Sequence, residues 1–296
     1  MSKSRHRGFS PARVAALTGN TFTGLVRLKV FYFLLLFALL LMGSSIFMAE
    51  LTFQQEFQIL KDVSLGAMSI FSSLLAIVAT AQLLPRDLEE RTVYTILAKP
   101  VPRYEYLIGK LLGVLLLLVL AVLAMSALFL GLLFVREQLL VQATLRRMAD
   151  FPPEQVEQAV RALRASAFNI NLLPGIGLIY FKAALLASLT LFISTFASTN
   201  LFTIVVMVFV YFIGHLQSTA RAYWLQEHGP GSWLAQLFLG LIALLFPDLQ
   251  LFNLVDDIVA GTAIPMALFA RTALLGWVYI SVYLFFAWVS FQGREL

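Results

Sequence analysis

Between Pro85 and Lys110 the chain carries nine charges: Arg86, Asp87, Glu89, Glu90, Arg91, Lys99, Arg103, Glu105 and Lys110. Five are basic and four acidic, with long uncharged runs on either side. The chemistry available to such a segment is charge-paired recognition of another protein, because mixed signs supply both attraction and register. A loop whose only task was to stay on one side of a membrane would need the basic residues alone, since acidic residues contribute little to orientation. Catalysis has far less to build on. His6, His215 and His228 are the only histidines, no His-Glu-x-x-His occurs, and cysteine is absent. Ser64, Ser69, Ser72 and Ser73 lie in one apolar run with no base nearby, so no nucleophile is expected. His215 and His228, thirteen residues apart without further ligands, predict no metal site. Gly109-Lys110 is followed by Leu111, and Tyr104 stands where the first glycine of a P-loop would be, so no nucleotide cradle is expected in this chain. Lys182 is the one Asp, Glu, Lys or Arg between Ala165 and Ala220.

The elements that must position these residues are membrane helices. Hydrophobic residues make up 60% of the 296, charged residues 12%, and the mean hydropathy is +0.87. A soluble globule of that composition would expose apolar patches far beyond what monomers tolerate. The net charge of +5 does not point to nucleic acid, because the basic residues crowd beside apolar runs, where they set topology. Uncharged stretches predict spans at Val30–Met48, Val63–Leu84 and Leu111–Val135. The 38 residues Ala183–Ala220 would extend about 57 Å as one helix, so the chain must turn back inside them. Ser194, Thr195, Ser198, Thr199 and Asn200 offer the turn, giving spans near Leu173–Phe196 and Leu201–Leu216. Trp233–Phe246 is too short to cross and ends at Pro247, which predicts a re-entrant segment, and Thr272–Phe291 completes six spans. No span contains Asp or Glu, which argues against coupling to an ion gradient. Lys182 falls about nine residues into the fourth span, where a charge either snorkels or faces a cavity.

Six basic residues and no acidic one precede Val30, placing the N-terminus, and with six spans both termini, in the cytoplasm. Within residues 1–29, Val14, Leu17, Phe22, Leu25 and Val26 after Pro11 predict an amphipathic helix on the inner surface. Residues 136–172 predict a small extracytoplasmic helical hairpin, its second helix capped at Asp150-Phe-Pro-Pro-Glu. In residues 85–110, Pro85 and the early acidic residues start a helix with an apolar face at Val93, Ile96 and Leu97. Pro100 and Pro102 stop it, and a new helix restarts near Arg103. Gly109-x-x-x-Gly113 would permit a close helix contact at the root of the third span. All of this is one membrane domain, residues 1–296.

The run Asp87-Leu-Glu-Glu-Arg-Thr-Val-Tyr-Thr-Ile-Leu-Ala-Lys-Pro-Val-Pro-Arg-Tyr-Glu-Tyr-Leu-Ile-Gly-Lys110 resembles the cytoplasmic loop of ABC transporter permeases of the type-2, exporter-like family. Val14 to Arg27 is similar to the elbow helix of permeases of the multicopper-enzyme-maturation group. The resemblance implies a coupling helix that docks on a separate cytoplasmic ATPase, through Asp87, Glu89, Glu90 and Arg91, with Lys99 and Arg103 beside it. ATP and Mg would then be bound by that partner and no cofactor by this chain. It further implies a second permease copy, identical or similar, a bacterial inner-membrane location, and either export of a substrate or work on a periplasmic partner. A membrane scaffold without transport and a gradient-driven transporter are the alternatives from other classes.

Overall fold

A computed structural model describes residues 9–50, 56–89, 101–168, 171–197, 199–228, 247–253, 258 and 265–293. Every regular element among them is helical. Proline at the first position opens α1 (Pro11–Val26), and α2 (Lys29–Glu50) follows directly. α3 (Glu56–Ala81) leads into the short α4 (Leu83–Glu89). Then come α5 (Arg103–Arg147), α6 (Pro153–Ala167), α7 (Leu172–Ser194), α8 (Asn200–His228), a 3₁₀ turn at Leu249–Phe252 and α9 (Met266–Gln292). Six of these helices, α2, α3, α5, α7, α8 and α9, are long and apolar enough to cross a bilayer, as the sequence predicts. The chain is an integral all-α membrane protein.

The helices are not equivalent. The most apolar stretches of α3 and α7 are 72% buried, against 22% for α2 and 28% for α8 and α9, so α3 and α7 form the centre. Both carry small residues, Ser64, Ala67, Ser72 and Ala76 on α3 and Ala183, Ala184, Ala187 and Ser188 on α7, all buried. In lipid, close packing of small residues rather than expulsion of water holds helices together. The outer helices turn large side chains outward, among them Phe33, Leu40, Phe209, Phe212, Trp277 and Phe285. Such surfaces suit acyl chains or further membrane helices.

Three boundaries differ from expectation for physical reasons. The third span does not end at Val135: α5 continues through Arg136 to Arg147, 45 residues or about 67 Å. No proline or glycine occurs from Leu132 to Arg147, so the helix simply extends beyond the apolar stretch. The first arm of the predicted hairpin is therefore the C-terminal part of α5, and α6 folds back on it. Arg136 bridges Glu56 at 2.9 Å, Arg164 approaches Glu137 at 3.5 Å, and Lys61 Nζ donates to the Ser166 carbonyl at 2.7 Å. α6 has no side-chain cap. Pro152 occupies the N-cap position and Pro153 the first turn, while Asp150 lies in the turn that ends α5. α8 runs on from the expected Leu216 to His228.

The predicted re-entrant stretch Trp233–Phe246 lies outside the described residues. Just after it, the 247–253 segment and Ile258 wedge among three helices at glycines. A Cβ on Gly214 of α8 would stand 2.8 Å from Leu249 Cγ and 2.9 Å from the Pro247 carbonyl, and one on Gly276 of α9 would stand 3.1 Å from Phe252. On α7, a Cβ at Gly175 would collide with Ile258 Cδ1. These three helices accept the segment because they lack side chains where it enters.

Candidate functional site

The described charged residues of the 85–110 segment converge on the first turns of α5. Pro102 ends the preceding segment in an extended conformation, and Arg103 to Lys110 then present successive side chains around the helix. Arg103 donates to the carbonyls of Phe291 and Gln292 at 2.8 and 2.7 Å and lies over the Phe291 ring. A cation on the last carbonyls of a helix satisfies its unpaired acceptors and the negative end of its dipole. Arg103 thus fixes the C-terminal end of α9.

Glu105 points the other way. Its carboxylate is fully buried and accepts Arg13 Nε at 2.7 Å, Arg13 Nη2 at 2.8 Å and the Ser10 backbone N–H at 2.9 Å. The bidentate fork holds Arg13 above the ordinary guanidinium value, chiefly through the hydrogen bonds from its side chain to Glu105. One turn further, Gly109 and Gly113 let α1 lie directly on α5: a Cβ on either would be 2.6 Å from the Cβ of Leu17 or Thr21. The predicted close contact is real, and its partner is α1. The expected apolar residues of α1 all face inward: Val14 and Leu25 are buried and Leu17, Phe22 and Val26 pack half-buried against the core, while Thr18 and Thr21 join the buried stripe where α1 meets the glycine notches. Thr18 and Thr21 bury hydroxyls that have no hydrogen-bond partner among the described residues.

Tyr106 and Lys110 take the third direction, toward α4. Tyr106 Oη donates to Asp87 Oδ2 at 2.5 Å, and Lys110 Nζ bridges the same oxygen at 2.5 Å. Tyr106 also stacks on Phe291 with 5.9 Å between centroids. Eight residues of α5 therefore tie together α1, α4 and α9.

Of the residues the sequence singles out, Asp87 and Arg103 are engaged with this chain itself. Glu89 ends α4, and its side chain, with Glu90, Arg91 and Lys99, lies outside the described residues. His215 Nδ1 lies 2.9 Å from the Tyr211 carbonyl, and the side chain of His228 is outside the described residues. No group of three His, Asp or Glu among the described residues could hold a metal ion. Lys182 is buried in the centre of the helices and donates to Ser69 Oγ. Sequence reading missed the Arg13–Glu105 tie, since Arg13 also serves topology and the two residues are 92 apart in the chain. The usable signal was the Gly109-x-x-x-Gly113 notch one turn beyond an acidic residue in the first turn of a helix.

A family model described as ABC-2 family transporter protein matches residues 22–296, nearly the whole chain and all six spans. The chain belongs to that family. It is therefore a transmembrane component of an ABC transporter, and membership implies a bilayer and a cytoplasmic ABC ATPase as its surroundings. The match is to the family as a whole and does not single out the multicopper-enzyme-maturation permeases. A comparison with curated proteins finds no match.

Proposed function

We propose that this ABC-2 permease couples ATP hydrolysis by a separate cytoplasmic subunit to export of a substrate, with force entering through the 85–110 loop. The observation that supports this reading is the convergence of α1, α4 and α9 on Arg103–Lys110. A push on α4 is carried by Asp87 into Tyr106 and Lys110, by Glu105 and the glycine notches into α1, and by Arg103 into α9. Four elements then move together instead of one loop bending alone. Within the loop the roles divide: Glu89, Glu90 and Arg91 dock the ATPase, Lys99 lies beside that dock, and Asp87 and Arg103 transmit what the dock receives. A second permease, identical or similar, completes the complex, which sits in a bacterial inner membrane with both termini in the cytoplasm.

Reconstitution with the cognate ATPase tests this division. Glu89→Arg/Glu90→Arg is expected to abolish co-purification. Asp87→Asn is expected to leave the complex intact while lowering the permease-dependent ATP turnover several-fold. Undiminished turnover in Asp87→Asn would remove α4 from the force path. Because the chain lacks cysteine, single cysteines at Ser4 and Ala149 report sidedness without background: the first should be labelled only from the cytoplasm, the second only from outside.

A second reading, mechanical work on a periplasmic partner, is favoured by one observation. α5 is unbroken from Arg103 to Arg147, so a displacement at its root reaches the outer hairpin about 67 Å away. An open groove of about 600 Å³ at the hairpin tip, lined by Leu145, Met148, Phe151 and Val156, is the surface such a partner would meet.

A further inference from the structure

Lys182 stands near the middle of α7, ten residues or about 15 Å from Leu172, and only 1% of it is exposed. Its ammonium donates to Ser69 Oγ of α3. An ammonium carries three donors and a full charge, and here a neutral hydroxyl is what it meets; among the described residues no carboxylate pairs with it. A cation at this depth is costly, so helix packing alone would be served better by leucine or methionine. Recognition of an opposite charge is the role that requires it.

The surroundings fit that role. On α8, His215 lies one turn beyond Tyr211 and is acted on by two charges of opposite sign, Lys182 and the Asp248 carboxylate of the 247–253 segment. The His215 and Tyr211 rings are in contact, 4.3 Å between centroids. α3, α7 and α8 thus contribute hydroxyl, ammonium and imidazole groups here, and Asp248 contributes a carboxylate on the His215 side. The walls differ in firmness, since α3 and α7 are the packed centre while α8 is mostly uncovered. The outer face of α8, with Val205, Phe209 and Phe212, is apolar, so whatever reaches Lys182 past this helix comes from an apolar phase.

We propose that Lys182 is the recognition point of a binding site for an acidic amphiphile, between α3, α7 and α8, with α8 as the wall that yields. The anionic headgroup takes the Lys182 donors that no described residue accepts, beside Ser69, and the acyl part lies along α8. This deepens the permease reading by naming a ligand class, and the test below uses no ATPase, so the two can fail separately.

The probe is cis-parinaric acid, a fluorescent fatty acid, compared with its methyl ester on the purified chain in phosphatidylcholine nanodiscs, read by energy transfer from the protein tryptophans and corrected with empty discs. Wild type should bind the acid saturably and about tenfold or more tighter than the ester, the size of one charge-assisted hydrogen bond. Lys182→Met and Lys182→Gln should lose that preference while the melting temperature stays equal or rises. A purely structural lysine predicts the reverse, a lower melting temperature with the preference unaltered. Oleate should compete and millimolar acetate should not. Equal binding of acid and ester by wild type, a preference that survives in both variants, or full competition by acetate would each overturn the proposal.

Discussion

Glu105 and Lys182 are both buried charges, yet the chain treats them in opposite ways. Glu105 receives two N–H groups of Arg13 and the backbone N–H of Ser10, so both of its oxygens are used and its charge is neutralised. Lys182 has a hydroxyl and no matched charge among the described residues. A fully paired carboxylate fixes geometry, because any displacement strands several partners at once. A cation with no matched charge among the described residues is not locked in that way, and in the proposed site its field acts on a bound anion. The root of α5 is therefore built to stay as it is, and the level of Lys182 is built to receive.

The largest effect should come from the steric half of the root. Gly113→Leu puts a Cβ 2.6 Å from Thr21 Cβ and 3.1 Å from the Thr18 carbonyl, atoms of α1 that cannot swing aside. α1 must lift as a unit, at a cost of about 3 kcal/mol, the upper range for overpacking. The melting temperature of the detergent-purified protein should fall by many degrees, and cleavage near Arg27 should speed up. An unchanged melting temperature would mean that α1 is not held there. Second in size is Glu105→Gln, which keeps shape but loses the charge. It should lower the melting temperature clearly, and adding Arg13→Gln should lower it little further, since the two residues act as a pair. If the two losses simply add, the tie carries no coupling and the contrast with Lys182 collapses.

How much of this was legible depends on what each feature needs. The six spans were plain, because apolar length is a property of consecutive residues, and the α7–α8 turn was plain from the polar cluster Ser194 to Asn200. The far end of α5 was not: hydropathy marks where lipid ends, at Val135, whereas helix continuation depends on the absence of breakers. Asp87 and Arg103 were found as charges but their partners were not, since Lys110 and Tyr106 are near in sequence while Phe291 and Gln292 lie 188 and 189 residues away. Arg13 read as an ordinary topology charge, and nothing local linked it to Glu105, 92 residues away. Lys182 was legible as an anomaly from its isolation alone; only the packing of α3 against α7 brought Ser69 to it.

Smaller changes sharpen the comparison by separating buried polar groups that have partners from those that do not. Thr18→Val and Thr21→Val remove hydroxyls left unsatisfied in the α1–α5 contact while keeping the shape. Each is expected to stabilise by about 1 kcal/mol, the low end of the desolvation cost, read as a higher melting temperature. A drop for either would mean that its hydroxyl has a partner after all. The smallest effect belongs to Arg161 and Glu157, an i,i+4 pair on α6 that is 2.6 Å long but 75% and 65% exposed. By distance alone it equals the Arg13–Glu105 fork. Exposure decides otherwise, because water and salt screen the charges and ordering two long side chains offsets the attraction. Glu157→Gln should therefore change stability by about 0.5 kcal/mol or less, within the scatter of repeated melts, and less still in high salt. If it matched Glu105→Gln, burial would not be what makes the root of α5 rigid, and the same reasoning would no longer single out Lys182.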